Sequence, residues 1–117
     1  MIENLGIGID AANISDFKKI PYENKSSLYK KLFNPLEIDY CLNYKDPYPH
    51  FAGKFALKEA VKKSINETIH ISKIETSHIQ SKPTIKLMNC KNNYIFQASI
   101  SHENNIAIAI VISEIIH

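Results

Sequence analysis

Three short islands of this chain carry side chains able to do chemistry: Asp10 in GIGID, Glu59 and Lys63 in FAGKFALKEAVKK, and His102 in SISH. Each has an ordinary reading of its own. Asp10 near the end of an apolar run can cap the next element, and Glu59 with Lys63, four apart, can form a solvated helical ion pair. His102 can be a satisfied turn histidine. Taken together they allow another chemistry. Two carboxylates with no neighbouring cysteine and no H-x-x-H pattern are hard oxygen ligands, suited to magnesium rather than zinc. Magnesium commonly shares its shell with water and substrate phosphate. A lysine one turn from such a carboxylate can meet a phosphate oxygen, which gives a reason for Glu59 to sit among Lys58, Lys62 and Lys63.

Positioning these groups requires a strand, a helix and a second strand. LGIGIDAA, Leu5 to Ala12, is an apolar run with alternating glycines, as expected of a buried strand closely approached by another backbone. Asn13 or Ser15 can cap a short helix through Ile20, and PYENKSS, Pro21 to Ser27, reads as a polar turn. Asn34, Pro35 and Glu37 form a capping-box pattern that starts a helix with Leu36, Tyr40 and Tyr44 on one face. The longest helix is predicted over about Tyr48 to Ile65, with Phe51, Phe55, Ala56, Ala60 and Val61 as its apolar stripe.

Beyond Asn66 the period changes to that of strands, in HISKIETSHI, PTIKLMN, YIFQASIS and IAIAIVIS. Helices followed by strands on short turns predict an α+β fold, an antiparallel sheet packed against one long helix with short helices before it. In the last strand Ile106, Ile108, Ile110 and Ile112 line one face, and Ala107, Ala109 and Val111 the other. One face is expected to hold the long helix, the other to meet a second subunit.

At 117 residues the chain suits a single domain, 1–117. Apolar residues make up 44% and charged residues 22%, a globular composition without an apolar run near the roughly 20 residues of a membrane helix. No export signal is evident, so a cytoplasmic location is expected. Cys41 and Cys90 lack metal-site or disulfide-scaffold spacing and read as two reduced thiols. A net charge of +2 with no basic stripe is a poor footprint for nucleic acid. The basic residues are all lysine, so anion recognition must use point charges, backbone N–H groups or a metal instead of arginine forks.

The order GIGID, FAGKFALKEAVKK, SKP, SISH resembles the holo-[acyl-carrier-protein] synthases, the small class of 4′-phosphopantetheinyl transferases, over nearly the whole chain. The resemblance implies Mg2+-dependent transfer of the phosphopantetheine arm of coenzyme A to a serine of an acyl carrier protein, with release of adenosine 3′,5′-bisphosphate. It implies Asp10 and Glu59 as metal ligands, Lys63 as the following catalytic lysine, and Lys58 and His102 near the coenzyme, with a homotrimer whose sites lie between subunits. The pattern departs at Asn13 and Asp16, where the family usually has glutamate and a carrier-docking arginine, and at Lys54, in place of an arginine. It departs also at Asn66, which stands for the glycine of the loop that follows the helix near the coenzyme and is expected to end that helix in a left-handed conformation, and at Ser81, for the glycine of G-K-P. The rival reading is a non-catalytic coenzyme A or adenosine bisphosphate binder that has lost carrier docking.

Overall fold

The computed structural model describes residues 2–117, and the α+β expectation holds. Strand β1 (Leu5–Asn13) leads into the short helix α1 (Ile14–Lys18), then α2 (Tyr22–Leu32), α3 (Pro35–Leu42) and the long α4 (Tyr48–Ser64). A 3₁₀ turn at Ile71–Lys73 precedes β2 (Ile74–Ile79), β3 (Lys82–Leu87), β4 (Asn93–Glu103) and β5 (Ile106–Ile116). All pairings are antiparallel: a three-stranded sheet in the order β1-β5-β4, and the hairpin β2-β3.

Helix α4 lies on one face of the sheet because β1 lets it come close. A Cβ on Gly6 would stand 1.8 Å from the Ser64 carbonyl oxygen, and one on Gly8 1.9 Å from that of Ala60. No side chain fits there, which explains the alternating glycines. The strand period puts Gly6, Gly8 and Asp10 on the same face, toward the helix. Ala109 and Val111 of β5 are buried beneath α4 in one cluster with Leu57, Ala60 and Val61, and Ala107 in a second with Phe51 and Ala52. On the opposite face Ile7, Ile9, Ile106, Ile108, Ile110 and Ile112 remain exposed.

Three local expectations are corrected. PYENKSS is not a turn: it opens α2, an 11-residue helix kinked at Lys25. Its polar residues hide one anchor further along, Tyr29, which is fully buried, packs edge-on against Phe51 at 4.7 Å and donates its hydroxyl proton toward Ile20 O at 2.8 Å. Helix α3 does not bury Leu36, which is 80% exposed; its core face is Ile38 and Cys41. The α1 start at Asn13 lacks a side-chain cap, and the Asn105 side chain from the β4–β5 turn accepts from Ser15 N instead.

The capping box of α3 is present: Asn34 Oδ1 accepts from Glu37 N, and Glu37 Oε1 from Asn34 N. Gln80 and Ser81 join β2 to β3 with φ of 50° and 68°, the pattern of a two-residue type I′ turn. Neither is the glycine or asparagine this turn favours, and a left-handed L-residue costs about 1–2 kcal/mol. Ser81→Gly is therefore expected to stabilise the fold by about 1 kcal/mol, read as a higher denaturant midpoint at unchanged slope. An unchanged or lower midpoint would show that the serine makes up the cost elsewhere.

Candidate active site

The β1–α4 crossing brings the first two islands together. Lys63 Nζ donates to Asp10 Oδ1 at 3.0 Å and to Ile9 O at 3.0 Å. The lysine side chain is 57% exposed and that of Asp10 19%. Glu59, one turn before Lys63 on the same flank of α4, pairs through Oε2 with Lys62 at 3.1 Å. This flank therefore presents two carboxylates, from residues 49 positions apart, and two ammonium groups, from the consecutive Lys62 and Lys63.

His102 is not part of that cluster. Asp10 of β1 and Ile100 of β4 both pair with Ala109 of β5, so Ile100 lies two strands across from Asp10, about 10 Å by strand spacing, and His102 two residues farther along β4. Helix α4 sits over β5 between them. Lys54 and Lys63 are divided in the same way: nine residues are two and a half turns, which puts them on opposite flanks. On the His102 side is a cavity of about 890 Å3, lined also by Tyr40, His50, Lys54, His78 and Lys82. The SKP segment thus meets SISH here, while Asp10, Glu59 and Lys63 stand on the other flank.

Lys58 is a correction. Expected near a bound coenzyme, it is 1% exposed, with its ammonium donating to Glu37 Oε1 at 2.6 Å and Leu32 O at 2.9 Å. It has no free face for an external anion. Burial pulls its pKa down, and the hydrogen bond and charge of Glu37 push it back up. The other Glu37 oxygen accepts from Thr76 N at 2.8 Å and from the Thr76 hydroxyl, which in turn accepts from Lys54 Nζ at 3.1 Å. One carboxylate thus joins α2, α3, α4 and β2.

Asn66 is corrected in conformation. It lies exposed just past α4, but it is not among the residues with positive φ; Ile65 ends the helix with extended backbone, φ −108° and ψ 159°. The following Glu67 accepts from Lys91 N, Asn92 N and the Tyr94 hydroxyl, and closes the turn before β4. Asp16 is exposed on α1. Both cysteines are free, and burial pushes the Cys41 thiol up to about 12.

Sequence reasoning passed over His50, His78 and Tyr40 as cavity residues. No motif marks them. Only the hairpin and α3 folding toward the start of α4 make them neighbours, and that convergence leaves no local signal in the sequence.

This chain belongs to the 4′-phosphopantetheinyl transferase superfamily, whose family model matches residues 6–111. Among individual proteins, it is 36% identical to the holo-[acyl-carrier-protein] synthase of Thermodesulfovibrio yellowstonii, over 96% of this chain and 98% of that one. Identity to the enzyme of the same name from Geotalea daltonii is 30%, covering 93% and 97%. The structure is similar to that of Helicobacter pylori holo-[acyl-carrier-protein] synthase in complex with coenzyme A, with a TM-score of 0.78 and 32% identity over 92% of this chain and 99% of that one. It is similar also to the Bacillus anthracis holo-(acyl-carrier-protein) synthase in complex with CoA (3′,5′-ADP), at a TM-score of 0.76 and 26% identity over 93% and 95%.

Proposed function

We propose that this chain is a holo-[acyl-carrier-protein] synthase that acts as a single cytoplasmic domain within a homotrimer. It transfers the 4′-phosphopantetheine arm of coenzyme A to a serine hydroxyl of an acyl carrier protein. The serine oxygen forms a bond to the β-phosphorus, the pyrophosphate bridge breaks, and adenosine 3′,5′-bisphosphate leaves. The observation that carries the reading is Lys63 Nζ held between Ile9 O and Asp10 Oδ1 on an open flank, one turn from Glu59. The ammonium is fixed in place yet half in solvent, ready for an anionic oxygen.

The donor chemistry fits magnesium: an ion at this flank would rest on the hard carboxylate oxygens of Asp10 and Glu59 and complete its shell from water and phosphate. Among the described residues no third His, Cys, Asp or Glu joins them. When bound, the ion supplies Lewis-acid stabilisation of charge on the pyrophosphate. Lys63 does the same from the protein side. Glu59, with one oxygen engaged by Lys62, takes the serine proton either directly or through a water that it orients.

The separation of the two flanks by α4 supports an assembly in which the cavity with His102 and Lys82 of one copy faces Asp10, Glu59 and Lys63 of the next. The exposed isoleucine face of β1 and β5 supplies the apolar surface for it. The exposed ammonium groups supply the positive side for an acidic carrier, without arginine forks.

Incubation of the protein with Mg2+, coenzyme A and an apo acyl carrier protein is expected to increase the carrier's mass by that of the phosphopantetheine arm. A carrier of unchanged mass, from a preparation that binds coenzyme A, would favour a binding protein without transferase activity.

A further inference from the structure

The cavity on the His102 flank has a wall of unusual charge. It contains Lys54, Lys82 and three imidazoles, those of His50, His78 and His102, and no carboxylate. His50 lies flat on Tyr44, ring centroids 3.5 Å apart, and edge-on to His102 at 6.1 Å. His78 stacks on Tyr40 at 4.6 Å, and the Lys54 ammonium stands 4.7 Å from the centre of the same tyrosine ring. The Nδ1 atom of His78 is buried without a hydrogen-bond partner. Buried polar atoms are nearly always paired, so an orphan in a cavity wall points to a missing partner.

The charged groups around the two histidines oppose protonation almost uniformly. His50 on α4 faces His102 from β4 and Lys54 from its own helix, with Asp46 from the α3–α4 turn as the one acid. His78 on β2 faces Lys54 and His50, and Lys82 from β3 shares its cavity. Glu37, which reaches β2 at Thr76, is already engaged by Lys58. Burial first, then these neighbours, holds both imidazoles below their ordinary pKa. An anion in the cavity reverses the neighbour effect and offers Nδ1 of His78 an acceptor.

We propose that His50 and His78 make this cavity a proton-gated subsite for a phosphate monoester, one that binds more tightly as the imidazoles take up protons. The inference rests on the coenzyme reading and assigns to these two residues the phosphate of its adenosine end. The sign comes from linkage: a bound dianion raises the pKa of each imidazole, so binding takes up protons and affinity rises as pH falls through the range between the free and bound values.

The test uses adenosine 3′,5′-bisphosphate as probe and the protein as its natural oligomer, at pH 8, 7 and 6. The ligand's own titration is common to all proteins and cancels in the ratio of wild type to His50→Gln/His78→Gln. From pH 8 to 6 the wild-type affinity is expected to gain about tenfold over that of the variant, the equivalent of one pKa unit. Equal gains in the two proteins overturn the proposal and leave the transferase reading standing, since turnover with coenzyme A is measured separately. Because the variant can also lose packing against Tyr40 and Tyr44, the wild-type imidazoles are titrated by NMR with and without the probe. An upward shift of His50 and His78 by about one unit is expected, and unmoved titrations of both overturn the proposal.

Discussion

Lys63→Ala is expected to lower phosphopantetheine transfer by about 10²–10³-fold, the scale of losing one positioned charge at a transferring phosphate. The fold should barely change. The side chain is 57% exposed, and the two bonds it gives up, to Ile9 O and Asp10 Oδ1, leave acceptors that water can reach. Surface substitutions of this kind usually stay within about 0.5 kcal/mol. Turnover under saturating coenzyme A and carrier, together with the urea midpoint, checks both halves. A loss confined to KM would make Lys63 a uniform binding group, and an early unfolding transition would make it a structural tether of β1 to α4.

Glu37→Ala is expected to have the largest effect on stability, about 3–5 kcal/mol, which is the cost of breaking a buried ion pair from one side. The loss strands the Lys58 ammonium at 1% exposure and removes the acceptor of Asn34 N and Thr76 N. Against a typical total of about 5–15 kcal/mol, that leaves a marginal fold. Chemical denaturation measures it directly. Pairing the change with Lys58→Met should recover a substantial part, because replacing a buried ion pair by apolar side chains is often close to neutral. A double variant as unstable as Glu37→Ala alone would assign the cost to the unpaired N–H groups and not to the stranded charge. A Glu37→Ala protein of wild-type stability would mean that water enters to solvate Lys58.

The sequence by itself determined the elements whose signal is local. Period-two alternation marked β4 and β5, the helical stripe from Phe51 to Val61 marked α4, and Asn34-Pro35-x-Glu37 marked the start of α3, since each is fixed by neighbours within a turn or a strand pair. GIGID and KEA-x-x-K were legible as chemistry for the same reason. Tertiary structure decided what those residues touch. The glycines at 6 and 8 let α4 descend onto β1, and that contact, between segments some fifty residues apart, sets Lys63 over Asp10. Glu37 read as a cap and proved to be also the counter-ion of Lys58, which took an expected ligand residue out of reach of any ligand. PYENKSS read as a turn because its polar residues carry no apolar stripe, and the helix is held by tertiary packing of Tyr29 and Tyr22 against Phe51. The division of the motifs between two flanks of α4 was likewise invisible in a linear order. It depends on strand order in the sheet, β1-β5-β4, in which the last strand of the chain inserts between the first and its own hairpin partner, and no local propensity encodes that choice.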